Sequence, residues 1–234
     1  MIAEIKVAVA ERRITRLCHF TPSRKLAHIA CGETGILSTK ALKANERAVF
    51  DATDLARLDR HETHICCSIQ YPNAWYMDRA CAKDGLFRDW VILLINPRYL
   101  WTEGTLFCPR NAAADHGAHI TQGASGFRAL FSSTVHGAFR IERSPRHLKS
   151  CPTDNQAEVL IPDRVPLTDI LGVVVRSETQ AKNEVSRLRL SGVDGNAFKF
   201  VIAPTLFDKY ALRDCISTGL LPSEQVWHPG EADD

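Results

Sequence analysis

The chain has 234 residues, and 45% of them are hydrophobic, which is enough for one large domain with a core of its own. Its 29 basic and 27 acidic residues leave a formal net charge of +2, so affinity for a nucleic acid would have to come from a local basic patch. No apolar run is long enough to span a bilayer, and there is no secretory leader, so we expect a cytoplasmic protein without a membrane partner. Eight cysteines are scattered without a C-x-x-C pair, which argues against a zinc ribbon and indicates reduced thiols.

In the first half of the chain, the apolar pattern predicts short helices between short strands. In chain order these are a helix at 2–13, a strand at 14–21, a helix after Pro22, a short helix and mobile loop within 38–62, a strand at 65–69 and a helix opened by Pro72 and Asn73. Thr21 or Ser23 is the expected cap of the second helix.

The second half begins with the most apolar strand, which we expect at the centre of a sheet. The predicted elements are strands at 89–95 and 106–108, a helix at 127–131, a loop at 132–155, strands at 158–161, 170–175 and 198–202, and a helix at 207–217. Single helices between strands, without regular βαβ alternation, predict a mixed α+β fold. We expect one domain over residues 1–234, with a loose tail from about residue 222.

Glu158 opens an apolar strand, and burial of a lone carboxylate there is costly unless it has a partner or a task. Four cations precede it in the loop, at Arg140, Arg143, Arg146 and Lys149. Together they suggest an active site approached by a polyanion. The alternatives are a solvent-facing glutamate paired with a lysine and a basic run that is simply solvated.

Other side chains are candidates for binding a polar, ring-containing ligand. Alternation puts His19 and Thr21 on one face of the first strand, where they could hold a ligand or belong to the core. Tyr76 and its neighbour Trp75 could stack on an aromatic ring or pack in the core. Arg57 is either a solvated helix charge or an arginine on a covering loop, aimed at a phosphate.

Four motifs, in register over about residues 14–175, resemble the DarT family of NAD-dependent DNA ADP-ribosyltransferases. They are His19-Phe20-Thr21 followed by Leu26, Ile29 and Gly32, then Ser68-Ile-Gln-Tyr-Pro-Asn73 leading to Met77, then Phe107-Cys-Pro-Arg-Asn-Ala-Ala113, and finally Gln156-Ala-Glu-Val-Leu160.

The resemblance implies an ADP-ribosyltransferase fold, with two small antiparallel or mixed β-sheets forming a cleft for NAD. It implies transfer of ADP-ribose from NAD to a base of single-stranded DNA, without a metal. It also implies the toxin of a toxin–antitoxin pair, whose antitoxin carries a domain that removes ADP-ribose.

Carried over by position, the resemblance makes Glu158 the catalytic glutamate and Arg57 the catalytic arginine, with Arg60 as the rival for the second role. The implied NAD-binding residues are His19, Phe20, Thr21 and Tyr76, with Trp75 as the alternative to Tyr76. By the same resemblance Gln156 would contact the acceptor, and the basic run of the loop, Arg140, Arg143, Arg146 and Lys149, would then hold the DNA backbone. Gln156 would project to the same face as Glu158, and its amide suits the edge of a base.

The second strand departs from the family pattern because it has cysteines where thymine-modifying members have aromatic residues. We therefore keep both guanine and thymine as target bases, with a guanine-modifying branch as a hypothesis. The competing classes are an ADP-ribosyltransferase acting on RNA, protein or a small molecule, a non-enzymatic single-strand-binding module, and a structural zinc protein.

Overall fold

The computed structural model describes residues 2–31, 34–44, 59–84, 87–137 and 139–229. Its α-helices are Ile2–Arg12 (α1), Leu26–Ala30 (α2), Thr39–Ala44 (α3), Ala74–Asp84 (α4), Gly123–Ala129 (α5), Glu178–Leu190 (α6) and Lys209–Thr218 (α7). Five 3₁₀ turns are described, at Ser23–Lys25, Pro97–Trp101, Ala114–Gly117, Leu167–Asp169 and Pro204–Phe207.

The strands are Leu17–Pro22 (β1), Ile36–Leu37 (β2), His64–Ile69 (β3), Trp90–Ile95 (β4), Leu106–Cys108 (β5), Thr121–Gln122 (β6), Thr134–Val135 (β7), Ile141–Glu142 (β8), Glu158–Pro162 (β9), Arg164–Val165 (β10), Ile170–Val175 (β11), Phe200–Ile202 (β12) and Gln225–Val226 (β13). Nine of them follow one another in the order β13-β12-β11-β4-β1-β3-β9-β5-β6. The pair β11 and β12 is parallel, and the other pairs in this order are antiparallel. The expected mixed α+β class is confirmed.

Strand β4 lies near the middle of this order, and its side chains enter two cores, one on each face. Its odd-numbered residues pack with apolar side chains of α1, α5 and α6, whereas its even-numbered residues pack with those of α4 and α7. Alternate side chains of a strand point to opposite faces, so a strand covered on both sides needs an unbroken apolar sequence. That is why the run at 89–95 predicted the centre of the sheet.

Helix α6 lies where the sequence pattern indicated no element. Its buried face includes Gln180 and Glu184, so its apolar periodicity is weak. The Glu184 carboxylate accepts a hydrogen bond from Arg187 Nη1 at 2.7 Å, which offsets part of the cost of its burial. The sequence did contain a start signal, because Ser177 Oγ accepts from the Gln180 amide at 3.2 Å as an N-cap.

The start of α2 also differs from the expectation. Thr21 and Pro22 still belong to β1, and the 3₁₀ turn that follows has no side-chain cap. Ser23 Oγ instead accepts from Arg187 Nη1 at 3.1 Å. Of the irregular segment expected at 38–62, α3 and residues 59–62 are described, whereas residues 45–58 lie outside the described part of the chain.

The tail was expected to be loose from about residue 222, and this expectation was wrong as far as residue 229. Strand β13 pairs with β12, and the Trp227 amide donates to the Phe200 carbonyl at 3.0 Å. Glu224 forms an ion pair with Arg16, which lies just before β1 and is largely buried. A two-residue strand and one ion pair produce no apolar pattern, so the sequence contained no sign that this segment is held. Within the described ranges, no helix combines the length and the apolar character needed to cross a bilayer.

Candidate active site

A cleft opens where the nine-stranded order divides between β1 and β3. These two strands pair at Leu17 with Ile69 and at Cys18 with Ser68. Beyond Cys18, β1 continues along β4 while β3 continues along β9, so the two strands separate. The separation divides the sheet into the two halves that the resemblance implied.

His19 lies on β1 at the mouth of this division. Its Nδ1 is 2.9 Å from the carbonyl oxygen of Cys66 on β3, so one hydrogen bond crosses the gap. A carbonyl oxygen can only accept, and therefore Nδ1 carries the proton. This bond fixes the orientation of the imidazole ring in the wall of the cleft. Phe20 and Thr21, the next two residues of β1, line the same cleft.

Glu158 is the first residue of β9, where it stands opposite Cys108 of β5, and it also lines the cleft. It is only 7% exposed. Its Oε1 accepts from Asn73 Nδ2 at 3.4 Å and from Asn111 Nδ2 at 3.3 Å, and its Oε2 accepts from the Ala112 amide at 3.1 Å. The buried carboxylate is therefore held by at least three donors, which is how a protein tolerates such a group away from water.

Two aromatic rings form an apolar wall next to His19. Tyr76 on α4 meets Phe20 edge to face, with ring centroids 5.8 Å apart, and both residues line the cleft. The alternative, Trp75, points elsewhere: its ring lies 5.3 Å from that of Tyr210 on α7, and Lys209 Nζ lies over it. Of the two neighbouring candidates, Tyr76 is the one that the fold brings to the cleft.

Two further sequence candidates occupy less direct positions. Arg57, the predicted catalytic arginine, lies outside the described residues, and its role stays a prediction. Its rival Arg60 is exposed, has a positive φ of 60°, and is not among the residues that line the cleft. Gln156 lies in a turn two residues before β9, so strand alternation does not set the direction of its side chain. The backbone N–H of Gln156 donates to Asp154 Oδ1 at 2.8 Å.

The four cations of the loop do not form a uniform surface. Arg140, Arg146 and Lys149 are exposed, and Arg140 pairs with Glu142 at 2.7 Å. None of the four is among the residues that line the cleft, so any contact with a polyanion would lie outside it.

Arg143 differs from the other three because its guanidinium is half-buried and bound to the protein. Nη2 donates to the Leu148 carbonyl at 2.8 Å, and Nη1 donates to the Cys151 carbonyl at 2.9 Å and to Thr153 Oγ1 at 3.3 Å. The guanidinium also lies 5.9 Å from the centroid of the Phe131 ring. These contacts tie the loop together and occupy the guanidinium, so we infer a structural role for Arg143 in place of the expected contact with DNA phosphates.

The cysteines near Glu158 are buried thiols. Burial, with a smaller contribution from the neighbouring Glu158 carboxylate, raises the pKa of Cys108 to about 11. The pKa of Cys67 is also raised well above its usual value, again mainly by burial. Both thiols stay protonated at neutral pH and are poor nucleophiles. Among the described residues, no group of three or more His, Cys, Asp or Glu side chains could hold a metal ion.

Sequence reasoning missed several residues of this site. The cleft is also lined by Lys25, His28, Ser38, Thr39 and Asn73. Lys25 and His28 are three residues apart, a spacing that puts both side chains on one side of a helix and could have drawn attention to them. Asn73 was expected as a helix start, and both Asn73 and Asn111 lie within the family motifs, but neither was a candidate for the site.

The split mixed sheet, with a buried glutamate, a histidine and an aromatic wall in its cleft, has the features of the ADP-ribosyltransferase fold that the resemblance implied, and comparison with known proteins confirms that fold. A family model described as "ssDNA thymidine ADP-ribosyltransferase, DarT" matches residues 18–208. The chain belongs to this family. The expected enzyme class, an NAD-dependent DNA ADP-ribosyltransferase, is that of the family.

Solved structures with the same fold are only distantly similar in sequence. "Thermosipho africanus DarTG in complex with ADP-ribose" has a TM-score of 0.54 and 14% identity, over 82% of this chain and 51% of that chain. "Thermus sp. 2.9 DarT in complex with ADP-ribosylated ssDNA" has a TM-score of 0.50 and 14% identity, over 80% and 97%. The same Thermus protein in complex with carba-NAD+ has a TM-score of 0.50 and 13% identity, over 79% and 97%. The chain thus spans about half the length of the Thermosipho protein, and no curated protein matches it by sequence.

Proposed function

We propose that this protein transfers ADP-ribose from NAD to a base of single-stranded DNA, with Glu158 as the catalytic carboxylate. The observation that carries the proposal is that Glu158, His19 and Tyr76 line one cleft in a member of the DarT family. In the reaction, the bond between ribose C1′ and the nicotinamide nitrogen breaks, and nicotinamide leaves with the bonding electrons. An atom of the DNA base then forms a bond to C1′, and the proton of the base passes to the carboxylate or to water.

Glu158 suits the charge that develops in this reaction. As nicotinamide leaves, the ribose gains oxocarbenium character, and a nearby carboxylate stabilises the positive charge. The effect is larger in a water-poor site, and Glu158 is almost fully buried. A carboxylate oxygen can also accept a hydrogen bond from a ribose hydroxyl, which would hold the sugar in place for attack.

The chemistry of the cleft residues fits the parts of NAD. Phe20 and Tyr76 offer an apolar wall for the nicotinamide ring. His19 and Thr21, on the same strand, offer polar groups for the amide and the ribose. Lys25, on the rim of the cleft, would oppose the charge of the pyrophosphate. Arg57 stays in the proposal as a second catalytic residue, on its position in the sequence alone.

For the DNA we propose a path over the β7–β8 hairpin. Phe139 at its tip is 83% exposed, and Arg140 follows it directly. An exposed aromatic ring beside a cation suits a stacked base and its phosphate. The hairpin is connected to the cleft because Arg110 Nη1 donates to the His136 carbonyl at 3.4 Å, and the next residue, Asn111, donates to Glu158.

Arg146, Lys149 and Gln156 complete the proposed DNA surface. The two cations are exposed on the loop before β9 and would contact phosphates in a salt-dependent way. Gln156, two residues before Glu158, would contact the acceptor base through its amide. Single strands should be preferred over duplex, because the target base must leave the stack to reach the cleft.

The target base and the biological setting are also part of the proposal. Thymine is the first candidate, because the description of the family names thymidine. Guanine is the second, because cysteines occupy β3 where we expect aromatic residues in thymine-modifying members. We further propose that residues 1–234 form one domain that acts as a cytoplasmic toxin, and that its partner is an antitoxin that removes ADP-ribose. The protein named DarTG among the similar folds favours this pairing.

The test is to incubate the purified protein with labelled NAD and homopolymers of each base, as single-stranded DNA, duplex DNA and RNA. Label should enter one single-stranded DNA homopolymer, and mass spectrometry should find one added ADP-ribose per modified base. Glu158→Gln should abolish labelling, whereas Glu178→Gln, which changes a surface carboxylate paired with Lys182, should retain it. If only RNA or only protein is labelled, that molecule is the acceptor and the proposed DNA acceptor is wrong. DNA binding without any NAD turnover would make the protein a binding module.

A further inference from the structure

Two asparagine side chains donate to the same oxygen of Glu158 from different parts of the chain. Asn73 precedes α4 and is 2% exposed, and Asn111 follows β5. Their Nδ2 atoms lie 3.4 and 3.3 Å from Glu158 Oε1. The Ala112 amide lies 3.1 Å from Oε2, so both oxygens of the carboxylate are held.

Both amide groups are held with their NH₂ ends toward the carboxylate. Asn73 Oδ1 accepts from the Tyr76 amide at 3.0 Å, as the cap of α4. Asn111 Oδ1 accepts from the Ala113 amide at 3.0 Å, as an Asx turn. Because each side-chain oxygen already serves a backbone N–H, the nitrogen must face Glu158, and a flipped amide would lose both contacts.

We propose that Asn73 and Asn111 are positioning residues that fix the direction of the Glu158 carboxylate toward the ribose and favour its charged form. This inference rests on the proposed function, in which Glu158 is the catalytic group. Asn73 has a second effect, because the helix that it caps carries Tyr76 in the wall of the cleft. Asn73 therefore positions both the Glu158 carboxylate and the Tyr76 ring, which would face the nicotinamide.

Aspartate substitutions test this role without removing the local turn. In Asn111→Asp or Asn73→Asp, one side-chain oxygen can still accept from the backbone N–H, but the donor to Glu158 is replaced by a second negative charge. Loss of a hydrogen bond to a charged group costs about ten- to a hundredfold in rate if the bond matters in the transition state. We therefore expect kcat to fall by about that factor while KM for NAD changes less than about threefold.

The pH profile separates positioning from a general loss of structure. Two carboxylates at this separation cannot both ionise easily, so the acidic limb of kcat should move to higher pH in both aspartate variants. Among the described residues, the other titratable or charged groups around Glu158 include the protonated thiols of Cys67 and Cys108, the His19 ring, and Asp154 and Arg110 near Cys108. The substitutions leave these groups in place, so the wild-type profile is the reference.

Asn96→Asp is the matched control, because Asn96 also caps a turn through Oδ1, accepting from the Arg98 amide at 2.9 Å, but does not line the cleft. It should retain the wild-type kcat and pH profile. If Asn73→Asp fails to fold, Asn111→Asp, in a loop, carries the test. Wild-type kcat and pH profile in Asn111→Asp, with Glu158→Gln inactive, would overturn this inference and leave the proposed function standing. An active Glu158→Gln would overturn the proposed function itself.

Discussion

Arg143→Ala should lower the stability of the protein and leave its proposed affinity for DNA unchanged. The guanidinium makes hydrogen bonds to Leu148, Cys151 and Thr153, and it lies near the Phe131 ring. The guanidinium of Arg12 lies 3.9 Å from the centroid of the same Phe131 ring. Burial, and to a smaller extent the charge of Arg12, lowers the pKa of Arg143. Arg143 thus links three residues of the loop through its guanidinium.

The magnitude follows from these contacts. A hydrogen bond to a charged group contributes about 1.5–3 kcal/mol, and the half-exposed site lets water replace part of it. We therefore expect Arg143→Ala to reduce the free energy of unfolding by about 3 kcal/mol in total. For a chain of this size, that corresponds to a decrease in Tm of about 6–12 °C.

The assay is thermal or urea unfolding of Arg143→Ala beside Arg140→Ala. Arg140 is exposed and pairs with an exposed Glu142, so its loss should change the free energy of unfolding by less than about 0.5 kcal/mol. At a temperature where both variants are folded, Arg140→Ala should bind single-stranded DNA more weakly and Arg143→Ala should bind it like wild type. A wild-type Tm for Arg143→Ala, combined with weaker DNA binding, would refute the structural assignment.

Two other predictions concern the same loop and hairpin. Burial and the charge of Arg143 lower the pKa of His147 to about 4, so this histidine binds a proton more readily in the unfolded chain. The free energy of unfolding should therefore fall as pH decreases from about 6.5 to 4. His147→Gln should flatten this pH dependence, as measured by urea unfolding at several pH values. An unchanged slope would show that other groups control it. Phe139→Ala should reduce affinity for single-stranded DNA by about 1–3 kcal/mol in a fluorescence anisotropy titration, with Phe139→Tyr near wild type and the Tm unchanged in both, because the ring is exposed. Equal affinity of the alanine variant and wild type would remove Phe139 from the DNA path.

The sequence predicted best those elements whose apolar pattern reports burial. β4 has six buried residues in a row, and β9 follows Glu158 with three more. Helix α6 was missed because Gln180 and Glu184 occupy its buried face. The C-terminal strand β13 was missed because its two residues are both exposed.

The candidate site was predictable where a charged or aromatic residue stood out, as Glu158, His19 and Tyr76 did. The contribution of Asn73 and Asn111 was not, because an asparagine before a helix or in a turn usually indicates a cap. Arg143 looked equivalent to Arg140 in the sequence, since only the fold decides whether a guanidinium meets carbonyl oxygens or water. The direction of the Gln156 side chain could not be predicted for a related reason, because alternation holds only within a strand, and β9 begins two residues later.

The most direct measurement is the single-turnover rate of ADP-ribose transfer from NAD to a single-stranded oligonucleotide by Glu158→Gln. The substitution keeps the size of the side chain and removes the negative charge beside the ribose. The rate should fall by about 10²–10³ or more, with NAD affinity and Tm close to wild type. A rate within a few-fold of wild type would contradict the central role given to this carboxylate.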